Sequence, residues 1–154
     1  MLEYFTNKLV KLFLNIGSME GEDRILREVL PPKGTYLDIG CSTPIKSSNT
    51  FLLYLMGWSG TCIDIREIRR FKYIRPRDKF IRDTVIDISG YRDYDLLDLD
   101  VDGIELEILK TMTFEPEFIL CENNLPMQKP VDKYLFKLGY KKIAQTIRNG
   151  VFRK

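Results

Sequence analysis

The sequence predicts an α/β fold: a mainly parallel sheet with helices on both faces and an antiparallel hairpin at its C-terminal end. Three observations predict it. Short apolar runs alternate with stretches of helical periodicity, which is the pattern of βαβ units. Gly, Pro or Asn separates most of these segments. Near the C-terminus Asn149-Gly150 falls between two strand-like stretches, and Asn-Gly suits a tight type I′ turn.

The elements follow in order. Residues 1–17 are expected to form an amphipathic helix, because Leu2, Phe5, Leu9, Leu12, Phe13 and Ile16 recur at helical spacing before Gly17. Its apolar stripe would pack on the domain or on a second copy of the chain, giving a homo-oligomer. With Lys8 and Lys11, contact with a membrane surface is the alternative. Its longest unbroken apolar run, Leu12-Phe13-Leu14, is far short of the roughly 20 residues of a membrane span. No stable membrane insertion is expected. Nor does the segment have the leading positive charge and continuous apolar region of a signal peptide.

Residues 18–154 read as a single domain. Helix 21–30 follows Ser18 as a candidate N-cap, has Glu22 and Asp23 in its first turn, and stops at Pro31-Pro32. Strand 36–39 ends at Gly40, and Asn49 is a candidate cap for helix 49–56. Strand 61–65, helix 66–74 and strand 79–85 follow. No full helix is expected before strand 94–99, only a turn around Ser89-Gly90-Tyr91. Helix 103–112, strand 118–121, helix 131–138 and the hairpin 141–153 complete the chain.

Composition excludes several functions. Among 154 residues there is no His, so a Ser-His-Asp triad, a Cys-His dyad and a His-containing zinc site are ruled out. Cys41, Cys62 and Cys121 form no CxxC pair, and an odd count without a secretion signal fits the reducing cytoplasm. With 24 Lys+Arg against 22 Asp+Glu the net charge is +2, which argues against nucleic-acid binding by bulk electrostatics. A local basic run, Arg66 to Arg82, leaves an RNA or an acidic partner open, with a solvated surface as the plainer account.

In an open α/β sheet, ligands bind beyond the carboxyl ends of the strands. Every predicted parallel strand brings an acidic residue there: Asp38, Asp64, Asp83, Asp98 with Asp100, and Glu122. Gly40 lets backbone approach a ligand closely. Asp64, ending the second strand some two dozen residues later, is placed to accept hydrogen bonds from both hydroxyls of a ribose. That pairing points to an adenosine-containing cofactor. The dinucleotide fingerprint is absent, since Cys41-Ser42-Thr43 follows Gly40, and this favours S-adenosylmethionine over NAD.

Residues 38–50 (DIGCSTPIKSSNT) with 57–64 (GWSGTCID), 99–109 (LDVDGIELEIL) and 18–26 (SMEGEDRIL) resemble the FkbM-type S-adenosylmethionine-dependent methyltransferases. The likeness runs from Ser18 to the C-terminus and departs from the family pattern at Met19, Cys41 and Asp102. It implies a Rossmann-like methyltransferase fold and methyl transfer to a hydroxyl of a sugar, glycan or other small molecule. The reaction is an in-line displacement from a sulfonium. The protein mainly aligns the reactants, and a carboxylate takes the hydroxyl proton.

Carried onto this chain, the cofactor would meet Asp38, Gly40, Cys41, Ser42 and Asn49. Asp64 would hold the ribose, Ile65 would pack on adenine, and Asp83 and Thr84 would face the adenine edge. Asp100 is the leading candidate base, with Asp102 and Glu105 next, and Glu122 behind them. No metal is expected in first place; Mg2+ on Asp100, Glu122 and Asn123 is the alternative, because these are hard oxygen ligands. Two other functions stay open: an RNA methyltransferase using the Arg66–Arg82 run, and an inactive partner subunit that keeps the fold.

Overall fold

The computed structural model describes residues 17–66, 68–124 and 128–154. The helix expected over 1–17 lies outside the described residues except for Gly17, whose N–H donates to the Ile45 carbonyl at 3.1 Å. Among the described residues no helix is long and apolar enough to cross a membrane.

The elements are α1 (Glu22–Val29), β1 (Thr35–Ile39), α2 (Phe51–Leu55), β2 (Ser59–Asp64), α3 (Phe71–Ile74), β3 (Lys79–Arg82), β4 (Leu96–Leu99), α4 (Glu105–Lys110), β5 (Phe118–Glu122), α5 (Gln128–Lys137), β6 (Lys141–Gln145) and β7 (Asn149–Arg153). They build one seven-stranded sheet in the order β3-β2-β1-β4-β5-β7-β6. Strands β1 to β5 are parallel, and β7 runs antiparallel between β5 and β6. The chain moves outward from β1 through β2 to β3, then returns to β4 on the other side of β1. The switch point of the topology therefore lies between β1 and β4.

Both faces of the sheet are covered. On one, Leu37, Ile39, Leu97, Leu99 and Ile119 pack with Ile108 and Leu109 of α4 and Val131 and Leu135 of α5. On the other, Tyr36, Cys62, Leu96 and Leu120 pack with Leu26 of α1, Leu53 of α2 and Phe71 of α3. The alternation along β1 and β4 sends successive side chains into opposite layers. No helix separates β3 from β4; a turn at Ser89-Gly90 takes its place, as the sequence predicts.

Several boundaries differ from expectation, each for a physical reason. Ser18 does not cap α1 at its first residue. Its hydroxyl donates to Asp23 Oδ1 and accepts the Asp23 N–H, while Gly21 holds the N-cap position. Asn49 and Thr50 make no side-chain cap on α2, because Thr50 donates to Asp38 and Asn49 to Asp98. Helix 66–74 shrinks to the single turn α3. The Asp64 carboxylate accepts the Arg66 N–H at 2.9 Å and holds the chain out of helical geometry there. Helix α5 starts earlier than predicted, since Pro130 falls in its first turn, where no backbone donor is needed.

The hairpin turn is not Asn149-Gly150. It spans Thr146–Arg148, closed by the Thr146 N–H to the Asn149 carbonyl at 2.8 Å and the Asn149 N–H to Thr146 Oγ1 at 3.0 Å. Gly150 lies in β7, where a Cβ would sit 2.7 Å from Asn123 Nδ2 and from the Phe152 ring. Close packing, not turn geometry, requires the glycine.

Arg75 departs most from expectation, being the one cation of the basic run that is wholly enclosed. Its Nε donates to Asp78 at 2.6 Å, and both side chains are fully buried. Its Nη atoms donate to Ser48 Oγ (3.1 Å), Tyr36 OH (2.7 Å) and Thr50 Oγ1 (2.9 Å). The guanidinium also lies 5.0 Å from the Phe71 ring centroid and 5.4 Å from that of Tyr54. Removing one partner of such a pair strands the other charge. Arg75→Met is therefore expected to lower the unfolding free energy by about 3–5 kcal/mol, read from urea denaturation; a loss under about 1 kcal/mol, the range of an exposed pair, would contradict this.

Candidate functional site

At the carboxyl ends of β1, β2 and β4 a cavity of about 550 Å³ opens beside the switch point. The structure brings together Asp38, Gly40, Cys41, Ser42, Asn49, Asp64, Ile65, Asp83, Thr84, Asp100 and Asp102 around it. Glu105 has a different place. It is buried, and its carboxylate accepts the N–H groups of Val101 and Gly103 at 3.0–3.1 Å. It shapes the loop that carries Asp100 and Asp102 and does not line the cavity.

Asp38 and Asp98 form the buried floor. They are register partners on adjacent strands, so their side chains leave the same face of the sheet. Burial pushes Asp38 up to about 6, against the pull of Arg75 and of the Thr50 hydroxyl. Burial also pushes Asp98 well above the ordinary carboxylate range, and the Asp38 and Asp100 charges add to this. Asn49 Nδ2 donates to Asp98 Oδ1 at 3.2 Å.

Asp64 stands at the end of β2 and behaves oppositely. Burial raises it, but the hydrogen bonds from Arg66 and the backbone donors outweigh burial and hold it below its usual value. Ser42 N–H and Arg66 Nη2 donate to its Oδ2 at 2.9 and 3.1 Å, and Arg66 N–H and Nε donate to Oδ1 at 2.9 and 3.0 Å. Those four donors fill a carboxylate's capacity. Gly40 has φ +84°, and a Cβ on it would lie 1.7 Å from the Asp100 carbonyl. The close approach inferred for this glycine is thus made by the β4 end itself. Ile65 is 63% exposed at the rim, and Asp83 accepts the Thr84 N–H at 2.7 Å.

A third side of the site was not read from the sequence as functional. Met19, Glu20, Glu22, Arg148 and Asn149 also line the cavity. Glu22 Oε1 accepts the Thr146 hydroxyl and Asn149 Nδ2, both at 2.9 Å, so it ties the start of α1 to the hairpin. Asn149 Oδ1 is buried with no hydrogen-bond partner. The signal was present in the 18–26 segment, where Glu22 reads equally well as a helix-dipole residue.

Beside the cavity, Asp100 is raised to about 6 and Glu122 to about 7, in both cases by burial first. The Asp100 charge raises Glu122 further. Asn123, weighed as a metal ligand, is turned elsewhere: its Nδ2 donates to Asp132 and its Oδ1 accepts from Gln145. A second, open groove on the β3 side is lined by Ile68, Arg69, Lys72, Tyr73, Phe80 and Arg82.

No protein-family model matches the sequence, and no curated protein is recognisably similar to it. Solved structures share the fold. A TehB-like S-adenosylmethionine-dependent methyltransferase of Corynebacterium glutamicum superposes with a TM-score of 0.64 at 15% identity, covering 99% of this chain and 97% of that one. The ribosomal protein L11 methylase of Lactobacillus delbrueckii subsp. bulgaricus gives 0.60 at 10% identity, covering 86% and 77%. These likenesses establish a Rossmann-like methyltransferase fold.

The Asp38 shift has a checkable sign. A carboxyl raised from 3.8 to about 6 favours the fold most when protonated. Its contribution is complete below about pH 4 and is lost as pH rises through about 6. Asp38→Asn should therefore gain on the wild type in Tm between pH 4 and 7; parallel Tm curves for the two proteins would rule this out.

Proposed function

We propose that this chain is an S-adenosylmethionine-dependent methyltransferase acting on a hydroxyl of a sugar, glycan or other small molecule. The cavity at the carboxyl ends of β1, β2 and β4 is the observation that supports this most. It has the size of a small-molecule site, it sits at the switch point, and its lining offers complementary groups for each part of the cofactor. The FkbM resemblance, carried by the 38–50, 57–64 and 99–109 segments, supports the choice of a hydroxyl acceptor. Three free, buried thiols, Cys41, Cys62 and Cys121, suit a cytoplasmic setting.

The residues fit S-adenosylmethionine. Asp64 would take the ribose hydroxyls once Arg66, a 59% exposed side chain, swings off it. The exposed face of Ile65 would cover the adenine, with Asp83 and Thr84 at its edge. Asn149 Oδ1 is an unsatisfied acceptor that the ammonium of the methionine end would satisfy, beside Asp38, Gly40, Cys41, Ser42 and Asn49. When bound, the cofactor supplies a methyl group on an electrophilic sulfonium. Asp100 and Asp102 would orient the acceptor at the β4 end, and Asp100 would hold its proton.

A second reading rests on the β3 groove, where Tyr73 is 76% exposed and Lys72 lies 5.0 Å from its ring centroid. An aromatic among cations is a surface that RNA can stack on. Phe71, by contrast, is buried against Phe80. An inactive subunit retaining the fold is the remaining alternative, and turnover by the purified chain excludes it.

Calorimetry with S-adenosylmethionine tests the main reading. The wild type should bind one molecule, and Asp64→Ala should weaken binding by roughly 1.5–3 kcal/mol. Arg66→Ala should bind at least as tightly as the wild type, because it removes a competitor for Asp64. No binding by the wild type, or equal binding by Asp64→Ala, would defeat the reading. For RNA, filter binding should show affinity that falls steeply with salt and is lost in Lys72→Glu; a flat salt profile eliminates it.

A further inference from the structure

Carboxylate oxygens of Asp100, Asp102 and Glu122 lie within 4.8 Å of one another at the ends of β4 and β5. Among the described residues none of the three forms an ion pair. Acidic clusters are common on surfaces, so their proximity alone says little. Glu122 adds an independent sign. It is only 6% exposed. Its Oε1 accepts Asn124 Nδ2 at 3.0 Å, whereas its Oε2 is buried with no partner. A buried carboxylate oxygen without a donor is strongly unfavourable, and the groups closest to it in this cluster are two more carboxylates. A proton shared with Asp100 satisfies such an oxygen below about pH 7; above that, a cation is what it lacks.

We propose that Asp100, Asp102 and Glu122 form a binding site for one hard divalent cation, Mg2+ or Mn2+. An all-carboxylate set selects hard ions over zinc or copper. Around an octahedral Mg2+ neighbouring oxygens are roughly 3 Å apart and opposite ones roughly 4.2 Å, so from within 4.8 Å the three side chains need to close by up to roughly 1.8 Å, a side-chain rotation. Their backbone is already fixed, because the loop bearing Asp100 and Asp102 is wound around the Glu105 carboxylate. Such outer support is how proteins orient metal ligands. The trio differs from the one weighed on the sequence: Asp102 stands in for Asn123.

Asp100 and Asp102 line the cavity, so the open coordination positions face it. They would take water or two adjacent oxygens of an acceptor. The acceptor class then narrows from any hydroxyl to a vicinal diol or a hydroxy acid. The cation would lower the pKa of the bound hydroxyl, with Asp100 holding the ion through one carboxylate oxygen and taking the hydroxyl proton on the other. This narrowing rests on the methyltransferase reading; ion binding itself does not.

Mn2+ titration of the full chain at pH 8, without cofactor, tests the site by calorimetry and by the electron paramagnetic resonance of bound Mn2+. One saturable ion per chain, displaced by Mg2+, is expected. Asp102→Asn, an exposed substitution that the fold should tolerate, and the isosteric Glu122→Gln should each weaken binding at least about tenfold. No saturable binding at millimolar Mn2+, or equal binding by a folded Asp102→Asn, overturns the proposal. S-adenosylmethionine binding is measured separately without metal. Its failure alone removes the cofactor reading, and failure of Mn2+ binding alone removes the cation site.

Discussion

A buried guanidinium organises this molecule. Arg75 has no water around it, so every donor must find a protein partner, and the partners come from distant parts of the chain. Tyr36 belongs to β1, Ser48 and Thr50 to the loop before α2, and Asp78 to the turn before β3. Asp78 in turn accepts the Gly60 N–H of β2 and the Tyr36 hydroxyl. The network reaches the cavity through Thr50, which accepts from Arg75 and donates to Asp38. The floor of the site is thus positioned from within the core and does not depend on its own exposed loops.

Electrostatics explains why that anchoring is needed. Parallel strands in register bring Asp38 beside Asp98, and the β4 and β5 ends bring Asp100 beside Glu122. Burial and mutual repulsion both disfavour this arrangement, as their raised proton affinities record. Asp64 escapes because backbone and guanidinium donors surround it. A sheet edge that gathers like charges gives up stability, and such concessions concentrate where ligands are handled. Arg75 is the compensating charge on one side of β1. On the other side Glu105 braces the β4 loop through backbone donors.

Much of this was legible in the residues. Alternating strands and helices gave the parallel sheet, and placing acids at strand ends found Asp38, Asp64, Asp83, Asp98 and Asp100 of the cavity lining, because a strand's carboxyl end is a local property. What was hidden depends on contacts far apart in sequence. Nothing local marks Arg75 as buried among seven other cations of its run. Asn149-Gly150 carries a strong turn signal that loses to the need for a bare backbone against Asn123 and Phe152. Glu105 looks like one more acid until the N–H groups of Val101 and Gly103 are seen around it. Glu22 and Asn149 meet only because the hairpin folds back to the start of the domain.

That last meeting also bears on how the molecule assembles. The Glu22–Asn149 hydrogen bond joins residues 127 positions apart, whereas β1 and β2 pair across a short connection. Closing so long a loop is entropically unfavourable until other contacts shorten it. During synthesis on the ribosome, α1 emerges early and waits for a partner made much later. The parallel strands β1 to β5 can therefore pair before β7 is made, and the pocket's third wall closes only once the hairpin joins the sheet.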